Sequence, residues 1–107
     1  MEFMNIVRME IQDGKMDEWR AIMRQNFEKA KAMGGVPGML ETRHVMYGDN
    51  KICVIGRWES KDAFMAMRSM LVANLDTFRH LLVPGPAGDT DPIGGTVVFS
   101  TADMPAE

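Results

Sequence analysis

Two short segments constrain the fold of this chain more than any other part of it. Val36-Pro37-Gly38-Met39-Leu40 follows a glycine pair, ends one helical pattern and starts a stretch that alternates like a strand. Arg57-Trp58-Glu59-Ser60 leads out of another alternating stretch into a second helical pattern, for which Ser60 is a good N-cap. The two segments predict helix, strand, strand and helix over the middle of the chain.

Periodicity supplies the remaining elements. Alternation predicts strands, apolar spacings of three and four predict helices, and glycine pairs or Gly-Asp-Asn predict the turns between them. In chain order the predicted elements are a strand over Asn5–Ile11, a helix over Lys15–Met33 ended by Gly34-Gly35, strands over Met39–Tyr47 and Lys51–Trp58, a helix from Ser60 to Leu82, and a last strand over Thr96–Ser100.

The end of the second helix is less regular. Asn74 and Asp76 compete for backbone hydrogen bonds and could divide the helix, and Pro84 ends it. Glycine and proline are frequent from Pro84 to Gly95, which predicts an irregular loop, and Thr101–Glu107 is predicted to be a frayed tail.

This order of elements, βαββαβ, is typical of a ferredoxin-like α+β fold, with an antiparallel sheet and both helices on one face. At 107 residues the chain is expected to form a single domain over residues 1–107. The other sheet face would then lie uncovered. It mixes apolar side chains (Ile6, Cys53, Ile55) with charged ones (Arg8, Glu10, Arg43, Arg57). We expect this face to pack against its own copy in a twofold homodimer, with the charged residues paired there.

Composition excludes several classes of function. A net charge of −3 argues against a nucleic-acid-binding surface. No stretch has the length and apolarity of a signal peptide or a membrane span, so the expected location is cytoplasmic. Cys53 is the single cysteine, and His44 and His80 lack carboxylates at ligand spacing, so no metal site is expected.

Methionine is unusually frequent, with 12 residues against five Phe, two Trp and one Tyr. Methionine side chains fill irregular space in a core, and they also line apolar pockets that adapt to a flexible ligand. The sequence leaves both interpretations open, with the core role the more common.

The order of elements, Pro37-Gly38 before the second strand and the Trp58-Glu59-Ser60 exit resemble the antibiotic biosynthesis monooxygenase-like proteins of the dimeric α+β barrel superfamily. The resemblance extends from Met4 to Phe99. It implies a homodimer in which two sheets pair as a barrel. It also implies a pocket in each subunit between sheet and helices, often used for oxygenation of quinol-like aromatics without a cofactor.

The chain departs from this family at one prominent position, because Met67 stands where many relatives carry a histidine. In the haem-degrading branch of the superfamily, an Asn, a Trp and a His form the site. Val7, Met67 and Thr77 occupy those positions here. Haem degradation is therefore not expected.

Two polar residues are the candidate catalytic groups. His44 shares a strand face with Leu40 and Met46 and could orient a ligand oxygen or accept a proton near neutral pH. Asn5, on the first strand, could donate to a ligand carbonyl. Each also has a plainer interpretation, a pocket-rim histidine without chemistry and a strand-end asparagine that satisfies local backbone.

Six apolar side chains on the two predicted helices are the candidate binding residues. They are Trp19, Met23, Phe27, Phe64, Met67 and Leu71. Two functions are compatible with this set. The first is a cofactor-independent monooxygenase that acts on a small apolar or aromatic molecule, and the alternative is a non-catalytic protein that binds a lipid-like or other apolar ligand. The family favours the first, whereas the loss of a helix histidine at Met67 favours the second.

Overall fold

The computed structural model describes residues 1–103, which form one antiparallel four-stranded sheet with helices packed on one side. The strands are β1 (Phe3–Glu10), β2 (Met39–Gly48), β3 (Lys51–Trp58) and β4 (Asp91–Thr96), in the sheet order β2-β3-β1-β4. The helices are α1 (Met16–Ala32), α2 (Lys61–Ala66) and α3 (Arg68–Asp76), followed by a short 3₁₀ turn at Arg79–Leu81. The predicted ferredoxin-like α+β fold is confirmed.

The core lies between the helices and one end of the sheet. Alternation along β1 turns Met9 toward the helices, and the paired Ile52 of β3 faces the same way. Trp19 of α1 and Phe78 beyond α3 cover them. The buried cluster consists of Met9, Ile11, Trp19, Ile52, Phe78, Leu81 and Leu82.

Local signals placed the first helix and the start of the second correctly. Gly34 and Gly35 both take positive φ, and the Gly35 N–H donates to the carbonyl of Ala30 at 2.8 Å, which ends α1. The Ser60 hydroxyl accepts a hydrogen bond from the Ala63 N–H at 3.0 Å, as its N-cap role predicts.

The second helix is shorter and more divided than its periodicity predicts. It breaks at Met67, seven residues before Asn74, and its regular part ends at Asp76 rather than at Leu82. Methionine is a good helix former, so the break has no local signal. Tertiary packing supplies the reason, because Phe64 of α2 packs on Phe3 at one end of the sheet while Phe78 packs on Trp19 at the other.

The predicted last strand over Thr96–Ser100 is wrong. The strand is β4, Asp91–Thr96, and all of it except Thr96 lies in the segment predicted to be a loop. β4 is an edge strand that pairs only with β1, and an edge tolerates Pro92 and two glycines that a central strand would not. After β4 the backbone turns once at Thr101–Asp103, and the rest of the predicted tail, residues 104–107, lies outside the described residues.

The glycines of β4 allow an experimental check on its packing. A Cβ added at Gly94 would lie 2.8 Å from Cζ of Phe3, whereas one added at Gly95 would have no neighbour within 4 Å. We expect Gly94→Ala to lower the free energy of unfolding by about 1–3 kcal/mol through overpacking. Gly95→Ala, the matched control, should change it by less than about 0.5 kcal/mol. Urea denaturation measures both, and equal effects would contradict this placement of β4.

None of the helices within residues 1–103 is long and apolar enough to cross a membrane.

Candidate functional site

Two valines at the middle of the sheet are less buried than the neighbouring Met9–Ile52 pair on the same face. Val7 and Val54 are paired at the centre of the two inner strands and face the helices, yet both are only partly buried. One step along the same strands, Met9 and Ile52 are 6% and 3% exposed. The helices therefore cover this valine pair less completely than the neighbouring Met9–Ile52 pair.

The predicted binding residues differ in how deeply they are buried. Met23 packs half-buried against the core, and Met67 and Leu71 are half-buried on the helices that follow β3. Trp19 is almost completely buried, and Phe27 is 64% exposed on α1. Met23, Met67 and Leu71 therefore have the partial burial expected of residues that line the predicted pocket.

An aromatic cluster lies at one end of the sheet. The Phe64 ring lies 5.0 Å from that of Phe3 and 5.5 Å from that of Trp58, the latter edge to face. Trp58 is only 1% exposed. Trp58 therefore packs in the interior, and Phe64 belongs to the same cluster.

Asn5 lies beside this cluster on the helix-facing side of β1. Its Oδ1 accepts a hydrogen bond from the indole Nε1 of Trp58 at 2.7 Å. Opposite Asn5 on β3 is Gly56, where an added Cβ would lie 2.2 Å from that same Oδ1. The asparagine thus bonds to a distant indole rather than to local backbone.

His44 lies on the edge strand β2, level with Val54. Its ring packs against Trp19, with 5.3 Å between ring centroids and 49° between planes. Although His44 has solvent on one side, loss of hydration against the indole lowers its pKa below the usual 6.5. A neutral imidazole that can accept a proton is therefore the favoured form at pH 7.

The indole nitrogen of Trp19 is an exception among the buried side-chain polar atoms of the described structure. This Nε1 atom is buried and has no hydrogen-bond partner among residues 1–103. Buried donors are nearly always paired, so an unsatisfied N–H here is expected to reduce the stability that Trp19 contributes.

Sheet geometry gives the separation of the two candidate catalytic residues. In the sheet register, Asn5 on β1 lies level with Thr42 on β2, two residues before His44. Asn5 and His44 are therefore separated by two residues along the strands and by two strand spacings across the sheet. Those steps are roughly 7 Å and roughly 10 Å, which puts the Cα atoms roughly 12 Å apart. At this separation the two side chains can contact different atoms of a flat ligand of two or three rings.

The lowered pKa of His44 predicts how stability depends on pH. The unfolded chain binds a proton at His44 more readily than the folded chain does, so the free energy of unfolding falls as pH is lowered through about 6.5. We expect His44→Gln to reduce this loss below pH 6.5 and His80→Gln to retain it. Urea unfolding between pH 5 and pH 8 makes the comparison, and an unchanged profile for His44→Gln would contradict it.

No metal site forms within the described part of the chain, since no three His, Cys, Asp or Glu side chains come together there. His80 lies at the 3₁₀ turn, where its Nε2 is 3.8 Å from a carboxylate oxygen of Glu18.

On the face of the sheet opposite the helices, the arginines form ion pairs within the chain. Arg57 binds Glu2 at 3.1 Å and lies 3.8 Å from Glu41, which also binds Arg43 at 3.0 Å. Arg8 pairs with Asp91. The arginines were expected to pair with Glu10 and one another across an interface, and their actual partners come from β2, β4 and the start of the chain.

Two surface grooves lie away from the pocket predicted between the sheet and the helices. One of about 650 Å³ follows the outer, charged side of α1 between Asp17 and Lys29. The other, about 340 Å³, lies on the open sheet face, between Arg8, Tyr47 and the loop at 83–91. Neither contains a candidate catalytic residue.

The fold matches solved structures over nearly the whole chain. Rv0793 from Mycobacterium tuberculosis is 12% identical with a TM-score of 0.73, covering 94% of this chain and 99% of that one. SnoaB, a cofactor-independent oxygenase from Streptomyces nogalater, is 14% identical with a TM-score of 0.70, covering 94% and 96%. A candidate antibiotic biosynthesis monooxygenase from Nitrosomonas europaea is 12% identical with a TM-score of 0.73, covering 94% and 93%.

No family model matches the sequence, and no curated protein matches it significantly. The TM-scores establish a shared fold, but sequence identities this low do not identify the reaction. The chain has the fold shared by antibiotic biosynthesis monooxygenase proteins, which confirms at the level of structure the resemblance first indicated by its sequence.

Proposed function

We propose that the protein is a cofactor-independent monooxygenase that acts on a small, flat, apolar or aromatic molecule held between sheet and helices. The single observation that carries this proposal is the partial exposure of the paired Val7 and Val54 at the centre of the sheet. An apolar cleft between the sheet and the helices would account for this exposure. The shared fold with a cofactor-independent oxygenase supports the type of reaction.

The groups around the cleft suit oxygenation of an activated carbon. His44 is held on Trp19 with a lowered pKa, so it can take a proton from an acidic C–H of the ligand. The resulting carbanion can be delocalised to a ligand oxygen that accepts a hydrogen bond from the amide of Asn5. Molecular oxygen then forms a bond to this carbon, which gives a hydroperoxide after protonation. Loss of the second C–H proton and cleavage of the O–O bond release water and leave a ketone, so that CH₂ and O₂ give C=O and H₂O.

The Cα atoms of Asn5 and His44 are roughly 12 Å apart, as two strand spacings and one two-residue step require. This distance restricts the class of substrate. A ligand needs its carbonyl on one side and its acidic C–H on the other. A fused-ring aromatic ketone with a ring CH₂ opposite the carbonyl meets both conditions.

The assembly we propose is a homodimer formed through the open sheet face, acting in the cytoplasm. Ile93 is 64% exposed on that face, next to Ile6 with which it pairs. Internal pairing of the arginines lowers the cost of burying them. We expect sedimentation at micromolar concentration to give twice the 12.0 kDa chain mass, and a monomer would contradict the dimer.

Oxygen consumption with anthrone, the simplest tricyclic ketone of this type, tests the reaction. We expect the native protein to convert anthrone to anthraquinone with one O₂ consumed per product. His44→Gln should slow the reaction by about 10²-fold or more if the imidazole is the general base. His80→Gln is the matched control and should retain the native rate.

The same experiment separates the oxygenase from a binding protein. Binding of the ketone without oxygen uptake would contradict the monooxygenase and favour a carrier of apolar ligands. Equal rates for the native protein and His44→Gln would contradict the role of the imidazole.

A further inference from the structure

The hydrogen bond between Asn5 and Trp58 determines what the cleft presents to a ligand. An indole N–H can only donate, so the Asn5 atom that faces it at 2.7 Å must be the carbonyl oxygen. The orientation of an asparagine amide is often ambiguous, but a donor-only partner removes that ambiguity here.

The amide nitrogen of Asn5 is then left for other partners. Nδ2 donates to no group among residues 1–103, and it is not among the buried unpartnered atoms of that region. It therefore stays accessible from the helix-facing side of the sheet, with two N–H groups to offer.

Gly56 makes this arrangement possible. Any side chain at position 56 would start 2.2 Å from Oδ1 of Asn5 and 3.0 Å from Nε1 of Trp58. Only glycine leaves room for the amide to lie over the β3 backbone. Burial of Trp58, 1% exposed beneath Phe64, holds the indole in place.

We propose that Trp58 and Gly56 are positioning residues that hold the Asn5 amide with its N–H groups toward the cleft, so that this subsite selects a hydrogen-bond acceptor such as a ketone oxygen. The inference rests on the proposed function, because it assigns the ligand chemistry at one end of the same cleft. Trp58 acts through Asn5 and does not touch the ligand in this scheme.

A matched pair of ligands tests the selectivity. 1-Tetralone and tetralin share a fused-ring skeleton and differ by a carbonyl in place of a CH₂ group. Their dissociation constants are measured by NMR titration of the native homogeneous protein, and the ratio of the two affinities is the readout. A general loss of packing weakens both ligands and leaves the ratio unchanged.

Asn5→Asp is the most informative variant. The carboxylate still accepts from the Trp58 indole, but it replaces the free donor with a second acceptor. We expect the preference for tetralone over tetralin to fall by about tenfold or more, since a hydrogen bond is lost and two acceptors then face each other. An unchanged ratio would overturn the assignment of the donor.

The positioning residues have their own variants. Trp58→Phe keeps an aromatic ring and removes the indole N–H, and Gly56→Ala displaces Oδ1 of Asn5. Each should lower the ratio by about two- to fivefold while tetralin binding persists, because the amide no longer stays in one orientation. Gly95→Ala, which touches nothing within 4 Å, should keep the native ratio.

The outcomes separate this inference from the proposed function. If tetralin and tetralone both bind the native protein and the variants keep its ratio, the donor subsite is overturned while the apolar cleft stands. If neither ligand binds the native protein, the proposed function fails and the subsite fails with it.

Discussion

Gly38→Ala is expected to lower the free energy of unfolding by about 2–4 kcal/mol, a large share of the stability of a small domain. Two causes combine. Gly38 has φ of +80°, a left-handed conformation that costs an alanine about 1–2 kcal/mol. The added Cβ would also lie 2.6 Å from Cβ of Ala63, where α2 packs against the start of β2.

Gly14 provides the matched control for this prediction. It has φ of +77°, but a Cβ there would meet nothing within 4 Å. Gly14→Ala should therefore show the conformational cost alone, about 1–2 kcal/mol. Chemical denaturation measures the difference, and equal losses for the two variants would contradict the close approach of α2.

The second large effect is a difference in stability between variants of the two tryptophans. Trp58→Phe is expected to cost about 2–4 kcal/mol, because it leaves a cavity and also an unpaired carbonyl oxygen on Asn5. Trp19→Phe leaves a similar cavity but removes an indole N–H that has no partner in the described structure. It should cost less, about 0–2 kcal/mol, since the loss of packing is offset by the loss of an unsatisfied donor.

Both tryptophans are at least 97% buried, so burial alone predicts equal costs. Thermal and urea unfolding of the two variants under one set of conditions distinguishes the explanations. A greater loss for Trp19→Phe than for Trp58→Phe would show that the Asn5 hydrogen bond contributes little.

The parts of the fold that were predictable from sequence are those with strong local signals. β3 was predicted at its observed bounds, and α1 within one residue at each end, because periodicity, Ser60 and the Gly34-Gly35 pair all agree. β4 was missed because nothing in Asp91–Thr96 resembles a strand. Its pairing with β1 and the fit of Phe3 over Gly94 determine it, and both are long-range contacts.

The candidate site divides in the same way. Alternation along β1 and β2 was enough to place Asn5 and His44 toward the helices. The hydrogen bond from Trp58 to Asn5 joins residues 53 positions apart and depends on the β1–β3 register. Gly56 leaves room for that approach, but a glycine alone does not identify Asn5 as the side chain that uses the space. Likewise, helical spacing grouped Phe27 with Met23, although Phe27 is mostly exposed.

The central claim is that a ligand enters the cleft between the sheet and the helices. The methionines report on it directly, because their methyl groups give separate NMR signals after ¹³C labelling. Met23 and Met67 are half-buried at the proposed cleft, whereas Met1 and Met33 are about four-fifths exposed and serve as internal controls.

Titration of the methyl-labelled protein with 1-tetralone is the most direct measurement. We predict saturable shifts of the Met23 and Met67 methyl signals, with those of Met1 and Met33 unchanged. Unchanged Met23 and Met67 signals at saturating ligand, or shifts confined to Met1 and Met33, would contradict a binding cleft between the sheet and the helices.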